Sequence, residues 1–142
     1  MSQVNADTIR KSDGSLGTDI RVKNTSVYES DGGTSVTQNL VQGLAKCWID
    51  YTSASSYTTN DSFNVSSLTD GGTGLGQTNI SNDMANINYS MTQGCRGGAS
   101  GGTKIFQNGN KAVGSFQLYT VDKDGGAFDI ANTMATVHGD LA

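Results

Sequence analysis

His138 is the single histidine in this 142-residue chain, so any Ser-His-Asp relay would have to run through it. No Gly-x-Ser-x-Gly turn accompanies it. The run Asp122-Lys123-Asp124-Gly125-Gly126, followed by Asp129, has a faint calcium-loop spacing. It lacks the third acidic position and the distal Glu of such a loop, and reads more simply as an Asp-Gly hairpin turn. Thirteen acidic residues are present, but glycoside hydrolysis needs two of them across a cleft, which a thin β-domain seldom builds. Neither catalytic nor metal-binding residues are therefore assigned, and no cofactor is expected. What remains is recognition chemistry, and its candidates are Arg96, Gly97, Gly98, Ser100 and Lys104, in and beside a glycine-rich segment over 94–102. One reading is a loop that adapts to a receptor, with Arg96 pairing to phosphate or carboxylate groups of a surface glycan. The other is a surface loop that contacts nothing. Tyr51 and Tyr57 offer rings for stacking on sugars, although Tyr51 is expected to be half in the core.

The elements that must position these residues are read from composition and pattern. Gly, Ser, Thr and Asn make up nearly half of the chain and there is no proline; apolar residues are 35% and charged residues 15%. Such a chain has little aliphatic material for a large private core, so it forms a thin β-structure or buries surface against copies of itself. The absence of proline leaves every backbone N–H available for strand ladders. A net charge of -4, with no basic cluster longer than Arg10-Lys11, argues against nucleic acid as a partner. No run of 18 apolar residues exists, so no membrane insertion is expected. Met1-Ser2-Gln3 begins neither a basic nor an apolar stretch, and no signal peptide is expected. The two cysteines are expected to stay as thiols.

Three parts follow along the chain. Residues 1–33 are polar, with extended pieces over 4–9 and 20–27 separated by Asp13-Gly14 and ending at Asp31-Gly32-Gly33. Their sparse apolar side chains cannot offset the entropy of ordering, which marks an arm that needs a partner. In residues 34–44, Val36, Leu40 and Leu44 recur at i, i+4 and i+8, one face of a short helix capped by Thr34 or Ser35 and weakened by Gly43. That stripe is read as an oligomerisation helix at a threefold axis, a helix packed on its own domain, or an extended linker. Residues 45–142 alternate short strand patterns over 47–51, 62–68, 77–81, 87–93, 103–106, 112–120 and 135–138. Turn signals stand at Gly71-Gly72, Asn108-Gly109 and Asp124-Gly125-Gly126. Regular short strands with Gly, Asn and Asp turns indicate an all-β sandwich. Trp48, Phe63 and Phe116 are the expected anchors of its core.

The most specific block is Ala45-Lys46-Cys47-Trp48-Ile49-Asp50-Tyr51, then Ser62-Phe63-Asn64-Val65-Ser66-Ser67-Leu68-Thr69-Asp70-Gly71-Gly72-Thr73-Gly74. It resembles the C-terminal domain of tail-fibre and related virion proteins of tailed bacteriophages, especially those of marine bacteria. There an Ala-Lys-Ala-Trp-Val-Asn-Phe-like strand precedes Ser-Phe-Asn-Val-Ser-Ser-Ile-Thr-Asp-x-Gly-Thr-Gly. The likeness extends to Thr78 through Ala85 and Tyr89, to Ser115-Phe116-Gln117-Leu118, and to Phe128 through Asp140. It also takes in the opening Asn5 to Gly14. Cys47 departs from it, standing where Ala is usual. The resemblance implies a non-enzymatic, homotrimeric virion protein of tail-fibre type, made in the bacterial cytoplasm and taking part in host attachment. Its arm would join other tail or virion proteins, and its β-sandwich would meet a host surface glycan or protein. The alternative is a purely structural part: a tail adaptor, a baseplate accessory, or a capsid head-fibre or decoration protein.

Overall fold

The structure is a computed structural model. It describes residues 27–29, 37–39, 41–96, 105–122 and 124–142, with side chains over 41–96, 109–122 and 124–142. The chain divides into two units, Met1–Val41 and Gln42–Ala142. In the first, β1 (Val27–Glu29) pairs antiparallel with β2 (Thr37–Asn39), Tyr28 opposite Gln38. This corrects the helix expected over 34–44: Thr37–Asn39 is a strand and residues 41–43 form a turn. The β-branched Thr37 is stiff at χ1 and suits a ladder better than a helix. Gly43 adds a further penalty against helix. Val36 and Leu40 lie outside the described residues, as does the extended piece expected over 4–9. Leu44 is 58% exposed.

Among its described residues the second unit holds eight strands in two antiparallel sheets. They are β3 (Cys47–Thr52), β4 (Thr58–Phe63), β5 (Val65–Asp70), β6 (Leu75–Ile80), β7 (Ser90–Arg96), β8 (Ile105–Ala112), β9 (Ser115–Val121) and β10 (Asn132–His138). One sheet has the order β4-β3-β10-β7 and the other β5-β6-β9-β8. Alternation puts Cys47, Ile49 and Tyr51 of β3 inward with Ala135 and Val137 of β10. They share one core with Ile80, Phe116 and Leu118 of the other sheet. The result is a two-layered all-β unit of sandwich kind. Its proximal end carries residues 42–46, 81–89, 113–114 and 139–142; the distal end carries the connections 53–57 and 71–74 and, after β9, residues 124–131. At the proximal end the Lys46 N–H donates to the Val137 carbonyl at 2.8 Å, and Gln42 Nε2 donates to the Asp140 carboxylate.

Two expected strands are in fact broken. The pattern over 62–68 divides at Asn64, whose φ of 57° turns the chain from one sheet into the other. Asn tolerates this left-handed geometry better than most residues. Its side chain secures the corner: Nδ2 donates to the Lys46 carbonyl at 2.9 Å and Oδ1 accepts from the Asn82 N–H at 2.8 Å. The pattern over 112–120 divides at Val113-Gly114, the true hairpin turn between β8 and β9. Asn108-Gly109 instead lies within β8 beside a register shift. A Cβ on Gly109 would approach the Gln117 Cβ to 2.5 Å, which is why glycine stands there. The polar strand β4 was not anticipated, because its residues Thr-Thr-Asn-Asp-Ser carry no apolar alternation.

Cys47 and Cys95 are not joined in a disulfide. They flank β10 at different heights, Cys47 opposite Val137 and Cys95 opposite Thr133. Burial pushes the Cys47 thiol up from 9.0 to about 11. Burial likewise lifts the Tyr51 phenol from 10.0 to about 12, with the Asp129 charge adding to it. Tyr57 and Tyr89 move up too, first by burial, and Tyr57 also by the Asp129 carboxylate. The fold thus holds protons that the unfolded chain releases. Stability is complete below the unfolded values and falls as pH rises through the folded ones. The urea midpoint should stay level to about pH 9 and fall steadily from there to about pH 11. A midpoint unchanged to pH 11 would contradict the burial of these groups.

Candidate functional site

The outward residues of β3, β10 and β7 form a row-by-row surface. Trp48 lies opposite Phe63 on one side and Thr136 on the other, and Thr136 lies opposite Thr92. The next row reads Asp61, Asp50, Met134 and Gly94. Asn132 and Arg96 stand opposite each other at the distal edge. A groove of about 410 Å³ opens here, with Trp48, Asp50, Thr92, Gly94, Met134 and Thr136 among its lining residues.

Two of the three expected core anchors are therefore corrected. Trp48 is only half-buried and points away from the core, since the inward positions of β3 belong to Cys47, Ile49 and Tyr51. Phe63 is 54% exposed, because the turn at Asn64 leaves it on the outer face while Val65 and Leu68 pack inward. Phe116 is fully buried.

The groove has a built polar edge. Asp50 Oδ1 accepts from Asn60 Nδ2 at 2.9 Å and from Asn132 Nδ2 at 3.4 Å. The β3–β4 register shifts between Asp50 and Tyr51, and such bulges re-aim side chains at sheet surfaces. Gly94 keeps the floor open: a Cβ there would meet Met134 Cγ at 3.1 Å. The outer face of the other sheet is closed by contrast. Gln117 Nε2 donates to Gln77 Oε1, Gln77 Nε2 to Asn79 Oδ1, and Asn79 Nδ2 to Ser67 Oγ. Its amides satisfy one another across the strands.

The other sequence candidates scatter. Arg96 is exposed at the end of β7, while Gly97, Gly98, Ser100 and Lys104 lie outside the described residues. Tyr51 is buried and stacks on Tyr57 with ring centroids 5.9 Å apart. Tyr57 Oη donates to the Gly72 carbonyl and to Asp129 Oδ1, so these rings close the distal end. His138 ends β10 opposite Ser90. Asp122 Oδ1 accepts the N–H groups of Asp124 and Gly126, which makes that segment a turn. Among the described residues no group of three or more His, Cys, Asp or Glu is placed to hold a metal ion. No helix among them is long and apolar enough to cross a membrane.

Sequence reasoning missed Asp50, Gly94, Met134 and the two threonines. The signal that was available is the parity of β3. Cys47-Trp48-Ile49-Asp50-Tyr51 puts Trp48 on the same side as Asp50, and a carboxylate belongs at the surface. No protein-family model, curated protein or solved structure matches the chain.

Proposed function

We propose that this chain is a non-enzymatic virion protein of tail-fibre type that takes part in host attachment as a homotrimer. The observation that carries the reading is the polarity of the second unit. β3 begins at the proximal end, where the preceding residues join it, and among the described residues the connections from β3 to β4, β5 to β6 and β9 to β10 lie at the distal end. That is the layout of a module joined at its base and recognising at its tip. The residues that resemble phage fibre proteins, 45–51 and 62–74, form β3, the end of β4, β5 and the turn into β6. The 1–33 arm is the part that joins other virion proteins.

Cryo-EM of the particle carrying this chain tests the reading. The expected result is three copies around a threefold axis with the distal loops facing outward. Purified chain should scatter light as about three times 14.8 kDa. A β-unit found enclosed between other virion proteins would replace attachment by the adaptor role. A stable monomer in solution would remove the trimer.

A further inference from the structure

We infer that the groove on the outer face of the β4-β3-β10-β7 sheet binds a neutral saccharide, with Trp48 as the stacking surface and Asp50 as the hydroxyl acceptor. The inference deepens the attachment reading and rests on it for its biological setting. Binding in solution and position on the particle are separate measurements, so either can fail alone.

The chemistry of the face selects this ligand. A pyranose ring presents an apolar C–H face and a rim of hydroxyl groups. It needs a flat aromatic surface beside acceptors that are already oriented. Trp48 supplies the surface, and its indole is half-buried, held by the sheet but open on one side. Asp50 supplies the acceptor. Both of its hydrogen bonds from Asn60 and Asn132 fall on Oδ1, so the carboxylate is fixed while Oδ2 takes no hydrogen bond from the described residues. Thr92 and Thr136 add hydroxyl groups on the same floor. A volume of about 410 Å³ lies within the range of small-ligand pockets, about 300–1,000 Å³.

Charge decides against an acidic sugar. Asp61 lies directly opposite Asp50 on the same face, and like charges facing each other across strands are destabilising. A fold that keeps this unfavourable pair beside an exposed Trp and Phe has an acceptor-rich surface, which repels carboxylate and phosphate groups and attracts hydroxyl donors. The same pair argues against a second copy of the chain as the occupant. Threefold packing through this face would bring six carboxylates together, and Arg96 stands apart from them, opposite Asn132 at the distal edge. On the described part of the opposite sheet the side chains of Gln117, Gln77, Asn79 and Ser67 are already joined to one another.

The test uses the full chain and the fact that Trp48 is its only tryptophan. Its fluorescence is titrated with a panel of neutral hexose and N-acetylhexosamine oligosaccharides, and with oligogalacturonate as the acidic control. The expected result is a saturable change with at least one neutral member and none with oligogalacturonate. Calorimetry with that member should then show affinity reduced about tenfold or more in Asp50→Asn and Trp48→Ala. Gly94→Leu, which fills the floor without touching either group, should abolish binding. Melting of each variant confirms that it is folded. No response to any neutral oligosaccharide overturns the inference, as does a preference for the acidic one. Unchanged affinity in both Trp48→Ala and Gly94→Leu also overturns it. If Trp48→Ala instead lowers the mass measured by light scattering, the face is a contact between copies and the saccharide assignment falls.

Discussion

Phe116→Ala should lower the unfolding free energy by about 3–5 kcal/mol, the cost of emptying a large aromatic site in a packed core. Phe116 has no exposed surface and sits on β9, opposite Thr78 of β6 and Lys111 of β8. It packs in the cluster shared with Ile49, Tyr51 and Val137 of the facing sheet. A domain of this size is stable by only about 5–15 kcal/mol, so the variant should be marginal or unfolded at room temperature. Trp48→Ala removes a larger side chain yet should cost only about 1 kcal/mol, because Trp48 is half-buried on an outer face. Urea denaturation of both variants followed by circular dichroism makes the comparison. A Trp48→Ala loss equal to that of Phe116→Ala would place Trp48 in the core and contradict the strand parity described above.

Gly74→Ala should cost on the order of 3 kcal/mol, from backbone strain and displaced hydrogen bonds together. Gly74 has φ +71°, and a Cβ there would lie 2.5 Å from the Thr120 carbonyl oxygen and 2.8 Å from the Phe128 nitrogen. Both are backbone atoms and cannot rotate away. The residue also ties the distal end together. Its N–H donates to Asp129 Oδ1 at 2.7 Å, and its carbonyl accepts the Thr120 N–H at 2.8 Å. Gly125→Ala is the internal control: its φ of +84° is equally unsuited to alanine, but nothing lies within 4 Å of the added carbon. That variant should lose only about 1–2 kcal/mol of backbone preference. Equal melting temperatures for the two variants would show that the close approach at Gly74 does not matter.

The fold was largely legible because its signals are local. Cys47-Trp48-Ile49-Asp50-Tyr51 alternates, and Gly71-Gly72 and Asp124-Gly125-Gly126 do mark connections between strands. Expectation failed where one residue had a conformation that its neighbours do not announce. Asn64 at φ 57° splits what reads as a single strand, and sends Phe63 to one outer face and Val65 to the core. The stripe Val36, Leu40 and Leu44 has helical spacing, but Thr37–Asn39 pairs with Val27–Glu29, a partner ten positions away at Tyr28 and Gln38. Spacing along a chain carries no information about a ladder that forms across it.

The candidate site was hidden for a related reason. Its residues come from β3, β7 and β10, which are distant in sequence and adjacent only because β10 inserts between the other two. Residue types and turn chemistry by themselves determined that the described residues are all-β, in a chain rich in glycine and threonine, with little charge and no proline. They also determined which residues must alternate from side to side. Which side became the core was decided by the tertiary structure alone. Alternation is a choice between two faces, and that choice is made by the sheet packed on one of them. Burying Ile49 and Tyr51 against Phe116 and Leu118 left Trp48 and Asp50 together on the surface.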